Sequence, residues 1–281
     1  LSFILTNAII PRIVTVSISK KLTVRPNERS SHSKNIPHLG GLGIILGAFL
    51  VISFFGSFML DFSNLRILLV SSISVIILLM AGIKDDIMQI SPFKKLLSEI
   101  FAALIFILIT GVMIDNFYGI FGIYKISPFF SVLFTIFVFI IIINSFNLID
   151  GIDALASFIA VFILSIYLYY FISVNSVLGI LISSSTLGSL LSFLRFNITN
   201  DKRKVFMGDV GSLVIGSILS LLTTFILSTE ICFNSEISNL PVLILSLFSY
   251  PFLDTLRVFC VRGYLGVSPF SADKIHIHHK L

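Results

Sequence analysis

Runs of about twenty mostly apolar residues recur along this chain, and no other feature constrains its fold as tightly. A run of that length is what an α-helix needs to cross the hydrocarbon core of a bilayer. Nine can be read, at residues 1–19, 39–60, 65–83, 95–114, 129–149, 153–173, 175–195, 210–228 and 240–260. The expected fold is therefore all-α, a polytopic integral membrane bundle of about nine transmembrane helices. The composition agrees: 56% of residues are hydrophobic and 12% charged, where a soluble domain carries roughly 25% charged residues. No polar linker divides the sequence, so residues 1–281 are expected to form a single transmembrane domain. Leu1 to Ile18 is apolar but lacks a basic lead and a small-residue cleavage site, which argues against a signal peptide. Cys232 and Cys260 should lie at different depths and give no case for a disulfide.

The distribution of charge gives orientation. Loops 20–38, 84–94, 196–209 and 261–281 fall on one side and hold most of the bases, among them Lys20, Lys21, Arg25, Arg29, Lys34, Lys202, Arg203, Lys204 and Arg262. The opposite loops carry Asp61, Asp115, Glu230 and Glu236, with Arg66 and Lys125 as the bases near them. The excess of basic residues belongs on the cytoplasmic side. A net charge of +5 thus follows topology and implies no nucleic acid partner. No internal repeat is evident.

Polar clusters interrupt the apolar chain, and alternation puts all of them on that same side. Carboxylates cost about 2.5–3.5 kcal/mol at the centre of a spanning helix, so they belong at membrane edges or in wet cavities. Asp85 and Asp86 follow a long apolar run and precede Ser91-Pro92, where the next helix should begin. Adjacent carboxylates repel unless a cation or a substrate proton offsets them, which suggests a Mg²⁺-diphosphate site or a general base. The plainer alternative is a solvated loop pair. Lys94 and Lys95 suit either phosphate binding or interface anchoring.

Asn144, Asn147, Asp150 and Asp153 recur every third residue. Such steps spread over about half of a helix circumference, and Gly151 should break the helix and gather the groups at a pocket mouth. Four amides and carboxylates exceed what helix caps require. Phe206 to Ser212 reads as a turn opening an apolar helix, with Asp209 as an N-cap or as part of an oxygen-rich Mg²⁺ site. Gly208 and Gly211 would let backbone approach a phosphate. His276, His278 and His279 lack partners at zinc-like spacing and suit phosphate binding or proton transfer better, with a structural interfacial role as the plainer alternative. The basic loop from Arg25 to His38 is either a topology determinant or, through Lys34, a phosphate-binding segment. Gly43 and Gly47 follow no strand and read as close helix packing.

Taken in order, RPNERSSHSKNIPHLGGLGI, GIKDDIMQISPFKKLLSE, NSFNLIDGIDALA, VFMGDVGSLVIG and SPFSADKIHIHHKL resemble the polyprenyl-phosphate N-acetylhexosamine-1-phosphate transferase family across nearly the whole chain. The spaced histidines resemble the branch that uses UDP-N-acetylglucosamine more than the phospho-MurNAc-pentapeptide translocase, whose histidines are consecutive. The resemblance implies transfer of a sugar 1-phosphate from a UDP-sugar donor to undecaprenyl phosphate, with release of UMP, at the cytoplasmic face of a bacterial plasma membrane. It implies Mg²⁺ or Mn²⁺, with Asp209 as metal ligand and Asp85 and Asp86 as catalytic aspartates. Asn147, Asp150 and Asp153 match positions near the nucleotide-sugar, Lys34 and Lys95 match basic positions near the phosphates, and His276, His278 and His279 match a C-terminal motif. Glu99 and Ala154 depart from the common glutamine and glycine, and the segment from Asn197 to Asp209 is about two residues longer than usual. Family members usually continue into another helix after the histidines. With the absent initial Met, this leads one to expect a fragment lacking its N-terminal start and a C-terminal helix. A homodimer is left open.

Two alternatives carry distinct expectations. A secondary transporter or channel would place polar groups near the membrane midplane and often repeats its halves. The pentapeptide translocase would accept a peptide-bearing UDP-sugar.

Overall fold

The computed structural model describes residues 1–20, 22–24, 36–152, 154–199, 203–228 and 239–264. The elements run α1 (Ser2–Ser19), β1 (Thr23–Val24), β2 (Ile36–Pro37), α2 (Gly40–Met59), α3 (Phe62–Met88), α4 (Pro92–Thr110), a 3₁₀ turn (Ile120–Gly122), α5 (Pro128–Ile149), α6 (Leu155–Ser173), α7 (Val177–Ile198), α8 (Gly208–Leu227), α9 (Leu240–Leu247) and α10 (Ser249–Tyr264). The two short strands form one antiparallel pair, Thr23 opposite Pro37 and Val24 opposite Ile36, and the rest of the architecture is helical.

Local chemistry explains several helix starts. Pro92 and Pro128 open α4 and α5 directly after Ser91 and Ser127. At that position proline gives up an N–H that would have no helical partner anyway, and its fixed φ already suits the helix. Gly111, in the left-handed region at φ +76°, closes α4.

Helix α8 is the axis of the bundle. It packs against α3, α5 and α2, with α6, α7 and α9 completing its surroundings. Its apolar window is wholly buried inside the protein. A helix so enclosed can carry hydroxyls if each returns to its own backbone. Ser217, Ser220, Thr223 and Thr224 do so, donating to the carbonyls of Val214, Gly216, Leu219 and Ser220 at 2.7–2.9 Å. Tyr167 of α6 meets the Thr223 hydroxyl at 2.6 Å. Outside this core α1 packs on α2 and α7, α4 on α3 and α5, and α10 on α5. The outer faces present Phe54, Phe58, Leu108, Phe129, Phe162 and Tyr169 to the surroundings. A surface of this kind suits lipid.

Close approach depends on absent side chains. A Cβ on Gly41 would lie 2.2 Å from the Gly211 nitrogen, so α2 and α8 touch backbone to backbone. Gly43 and Gly47 meet Ile10 and Thr6 of α1 in the same manner, as expected for packing glycines.

Among the described residues seven helices are long and apolar enough to cross a membrane, or eight when α9 and α10, bent by 62° at their junction, count as one span. The ninth expected run, α4, is not among them because Lys94, Lys95 and Glu99 lie in its first half. The boundaries also differ at α3. Its 27 residues extend about 40 Å at 1.5 Å per residue, beyond a hydrocarbon core of ~30 Å. Asp85 and Asp86 therefore sit in its last helical turns and not in a loop. Alternation brings the ends of α3, α5 and α7 and the starts of α2, α4, α6 and α8 to one end of the bundle.

Candidate active site

The adjacent aspartates divide their work. Asp85 Oδ1 accepts the Ile90 N–H at 2.8 Å, which draws the chain around Gln89 (φ +46°) towards α4. Its Oδ2 faces the Lys95 ammonium at 3.0 Å. Asp86 turns the other way and accepts the backbone N–H groups of Asp209 and Val210 at 3.0 and 3.2 Å. Those donors belong to the first turn of α8, where N–H groups have no helical partner and the helix dipole is positive. Asp86 thus caps α8 from another helix.

Lys95 joins four elements. Its ammonium has three donors, and they reach Asp85 Oδ2 at 3.0 Å, Asn147 Oδ1 at 3.1 Å and Asp209 Oδ1 at 2.7 Å. Asn147 Nδ2 donates to Asp209 Oδ1 at 2.6 Å and to Ser212 Oγ at 2.8 Å. The side chains of Lys95 and Asp85 are each 13% exposed, against 36% for Asp209. Asp209 is therefore the carboxylate of this ion-paired trio best placed to meet a ligand. Removing one partner from so enclosed a group leaves an uncompensated charge, which costs more than the intact pair contributes.

The glycines around Asp209 are used by the protein itself. Gly208 has φ +72°, and a Cβ there would lie 2.0 Å from the His38 carbonyl oxygen. Gly211 is filled by Met207 and Gly41. The room expected for phosphate at these two glycines is taken up by this packing. Segment 37–41 is laced to the α8 entrance by Phe206 N–H to Pro37 O (2.8 Å), Gly40 N–H to Phe206 O (3.0 Å) and Gly41 N–H to Met207 O (3.0 Å).

Of the expected site residues, Asp85, Asp86, Lys95, Asn147 and Asp209 come together. Asp150 is the C-cap of α5, one turn beyond Asn147. Lys34, Asp153, His276, His278 and His279 lie outside the described residues. Lys94, considered beside Lys95, is exposed. Asn144 turns away from the mouth and donates to Glu99 Oε2 at 2.5 Å.

Four residues of this region were not among the expected ligands. The His38 ring Nε2 lies 3.2 Å from the Asp86 carbonyl. Burial pushes its imidazole below the usual histidine range, against the pull of that hydrogen bond and of the Asp209 charge. Asn197 accepts the Ala154 N–H at 2.7 Å and donates to the Val205 carbonyl at 3.0 Å, tying the α5–α6 turn to the approach of α8. Ala154, at φ +69°, holds a backbone conformation that glycine would adopt freely. Glu99 is fully buried. Its sequence signal was an acid four residues after Lys95 inside an apolar run; Asn197 gave none beyond being polar at a span end.

The oxygens gathered by Lys95 are the hard donors that Mg²⁺ prefers. Their spacing, however, is that of an ammonium site, and among the described residues no three acidic, histidine or cysteine side chains form a metal cage. Mg²⁺ commonly takes only one or two carboxylates and completes its shell with water and substrate phosphate, so the donor set fits in chemistry.

Sequence comparison decides the family. The family model described as Glycosyl transferase family 4 matches residues 67–227, a stretch that includes Asp85, Asp86, Lys95, Asn147 and Asp209. The chain belongs to glycosyl transferase family 4. It is 31% identical over 275 residues to the probable undecaprenyl-phosphate N-acetylglucosaminyl 1-phosphate transferase of Bacillus subtilis, covering 97% of this chain and 73% of that protein. It is 30% identical over 269 residues to the undecaprenyl-phosphate alpha-N-acetylglucosaminyl 1-phosphate transferase of Haemophilus influenzae, covering 92% and 71%. The phospho-N-acetylmuramoyl-pentapeptide-transferase of Streptococcus pneumoniae is 31% identical over 199 residues, covering 66% and 58%. The cluster around Lys95 thus lies at helix ends, unlike the midplane arrangement a transporter would call for.

Proposed function

We propose that this protein transfers N-acetylglucosamine 1-phosphate from UDP-N-acetylglucosamine to undecaprenyl phosphate and releases UMP. The observation that carries the reading is the Lys95–Asp85–Asn147–Asp209 cluster at one end of a lipid-facing bundle. A reaction between a water-soluble donor and a phosphate anchored in lipid needs its charged groups at that depth. The acetylglucosamine donor is favoured over a peptide-bearing one by the fuller coverage of the first relatives. In this reading α4 is a further span, which with the bent α9–α10 pair gives nine, and the clustered end faces the cytoplasm because it carries the basic loops.

In the reaction a lipid phosphate oxygen attacks the sugar-linked phosphorus and the bond to the UMP phosphate breaks. Little covalent chemistry is asked of the protein, so positioning and charge stabilisation supply most of the rate. Lys95, fixed beside Asp85 and Asn147, offsets the charge of the phosphates. Asp86 fixes the first turn of α8 and thereby the direction of Asp209. Asp85 keeps Lys95 in place and is the carboxylate nearest to it besides Asp209. Asp209 with Asn147 would hold Mg²⁺, which when bound neutralises charge on the diphosphate.

The test is UMP release by membranes bearing the protein, supplied with undecaprenyl phosphate, UDP-N-acetylglucosamine and Mg²⁺. Release that needs both lipid and metal is expected. Release with other UDP-sugars alone would move the specificity, and none with any donor in folded protein would contradict the reading.

A further inference from the structure

Glu99 is a buried acid that the proposed mechanism leaves unused. It lies on α4 four residues after Lys95, so the two share a face one helical turn apart. On the facing helix α5, Asn144 and Asn147 stand three residues apart and make the matching pair. The result is a ladder of two polar rungs, Lys95 to Asn147 at 3.1 Å and Glu99 to Asn144 at 2.5 Å. The outer rung is saturated, with the Lys95 donors spread over three oxygens. The inner rung is not. Asn144 engages Glu99 Oε2 and the Ile140 carbonyl, whereas Glu99 Oε1 is buried and accepts no hydrogen bond. An acceptor in that position loses water without a replacement and works against stability.

Resting on the reading that Asp209 binds a divalent cation, we propose that Glu99 is a positioning residue for Lys95, the second acceptor to which its ammonium turns when a divalent cation engages Asp209. In the structure the ammonium stands where the carboxylates would hold such a cation. A dication at Asp209 removes the 2.7 Å contact of Lys95 and repels the ammonium across a few ångströms. Asp85 and Asn147 remain as partners towards the mouth. Glu99 Oε1 offers the open acceptor one turn deeper. The lysine stem can make this turn by rotamer change, with α4 fixed by its packing on α3 and α5.

The probe is Mn²⁺, titrated into purified full chain in detergent with free Mn²⁺ read by electron paramagnetic resonance. A graded loss of affinity is expected, small for Glu99→Gln and roughly tenfold for Glu99→Met, the scale of a lost hydrogen bond to a charged group. Both variants should melt at or above the wild-type temperature, because a half-satisfied buried carboxyl has been removed. In a Lys95→Met background, where no ammonium needs a second acceptor, Glu99→Met should change Mn²⁺ affinity no further. Should Glu99→Met misfold, Glu99→Leu, which also lacks an acceptor, carries the same comparison. Unchanged affinity in the presence of Lys95, or an equal loss in its absence, overturns the proposal. If wild type and Asp209→Asn bind Mn²⁺ equally, or neither binds it, the metal reading fails and the role of Glu99 falls with it.

Discussion

The two ends of the bundle both carry polar residues, and they use them differently. At the far end Asp61 takes up Ser63 and Asn64, the Asn116 side chain accepts the Tyr118 N–H at 2.7 Å, and Thr110 accepts the Val112 N–H at 3.1 Å. Each of these closes a turn or a helix over two or three residues. Longer contacts there settle a backbone group, as Arg66 does with the Ile109 carbonyl at 3.1 Å, or join neutral hydroxyls, as Tyr167 does with Thr223. At the other end the bonds run between side chains of separate helices: Lys95 reaches Asp209 across 114 residues of sequence and Asn147 reaches it across 62. Finishing a helix requires only local partners. A network drawn from α3, α4, α5 and α8 exceeds that need, and the excess marks the candidate site.

The network is most vulnerable at its hub, Lys95. Lys95→Met should leave Asp85 and Asp209 facing each other uncompensated and lower turnover by roughly a thousandfold, the scale of losing a preorganised charge-stabilising group. UMP release in matched membrane preparations checks this. Gly208→Ala is expected to come next. It forces a side chain into the left-handed region and against the His38 carbonyl, costing about 1–3 kcal/mol for the backbone strain alone. Thermal unfolding should show the loss, and turnover should fall as the first turn of α8 shifts away from Asp86.

The smallest effect concerns pH. Burial holds the folded His38 below the value its imidazole has in the unfolded chain. Its neutral form therefore supports the fold above the unfolded value, and that contribution is lost as pH falls from there through the folded value. Melting temperature should thus drop more steeply below about pH 6.5 in wild type than in His38→Gln.

How far this site could be read from sequence follows the range of the interactions. The spans were legible because lipid demands long apolar runs, and Ser91-Pro92 marked the start of α4 because proline there is a local signal. Asp85 and Asp86 were legible as chemistry but not as structure: a loop was expected, and the helix continues because α3 outlasts the hydrocarbon. The regular spacing of Asn144 and Asn147 hid a division of labour, since one residue turns to Glu99 and the other to Asp209. Nothing in the sequence says that Asp86 caps a helix that begins more than a hundred residues later. Such contacts are set by how α3 and α8 cross, and that crossing depends on Gly82, where a Cβ would lie 2.7 Å from the Val210 Cα.

The working end is identified by charged bonds that cross between helices, and not by polar character as such. UMP release from Asp209→Asn and Asp61→Asn, under the same saturating lipid, donor and Mg²⁺, puts this to the test. A loss of roughly a thousandfold is expected for Asp209→Asn, and wild-type turnover for Asp61→Asn, with both proteins inserted and folded. Near-normal turnover of folded Asp209→Asn would contradict it.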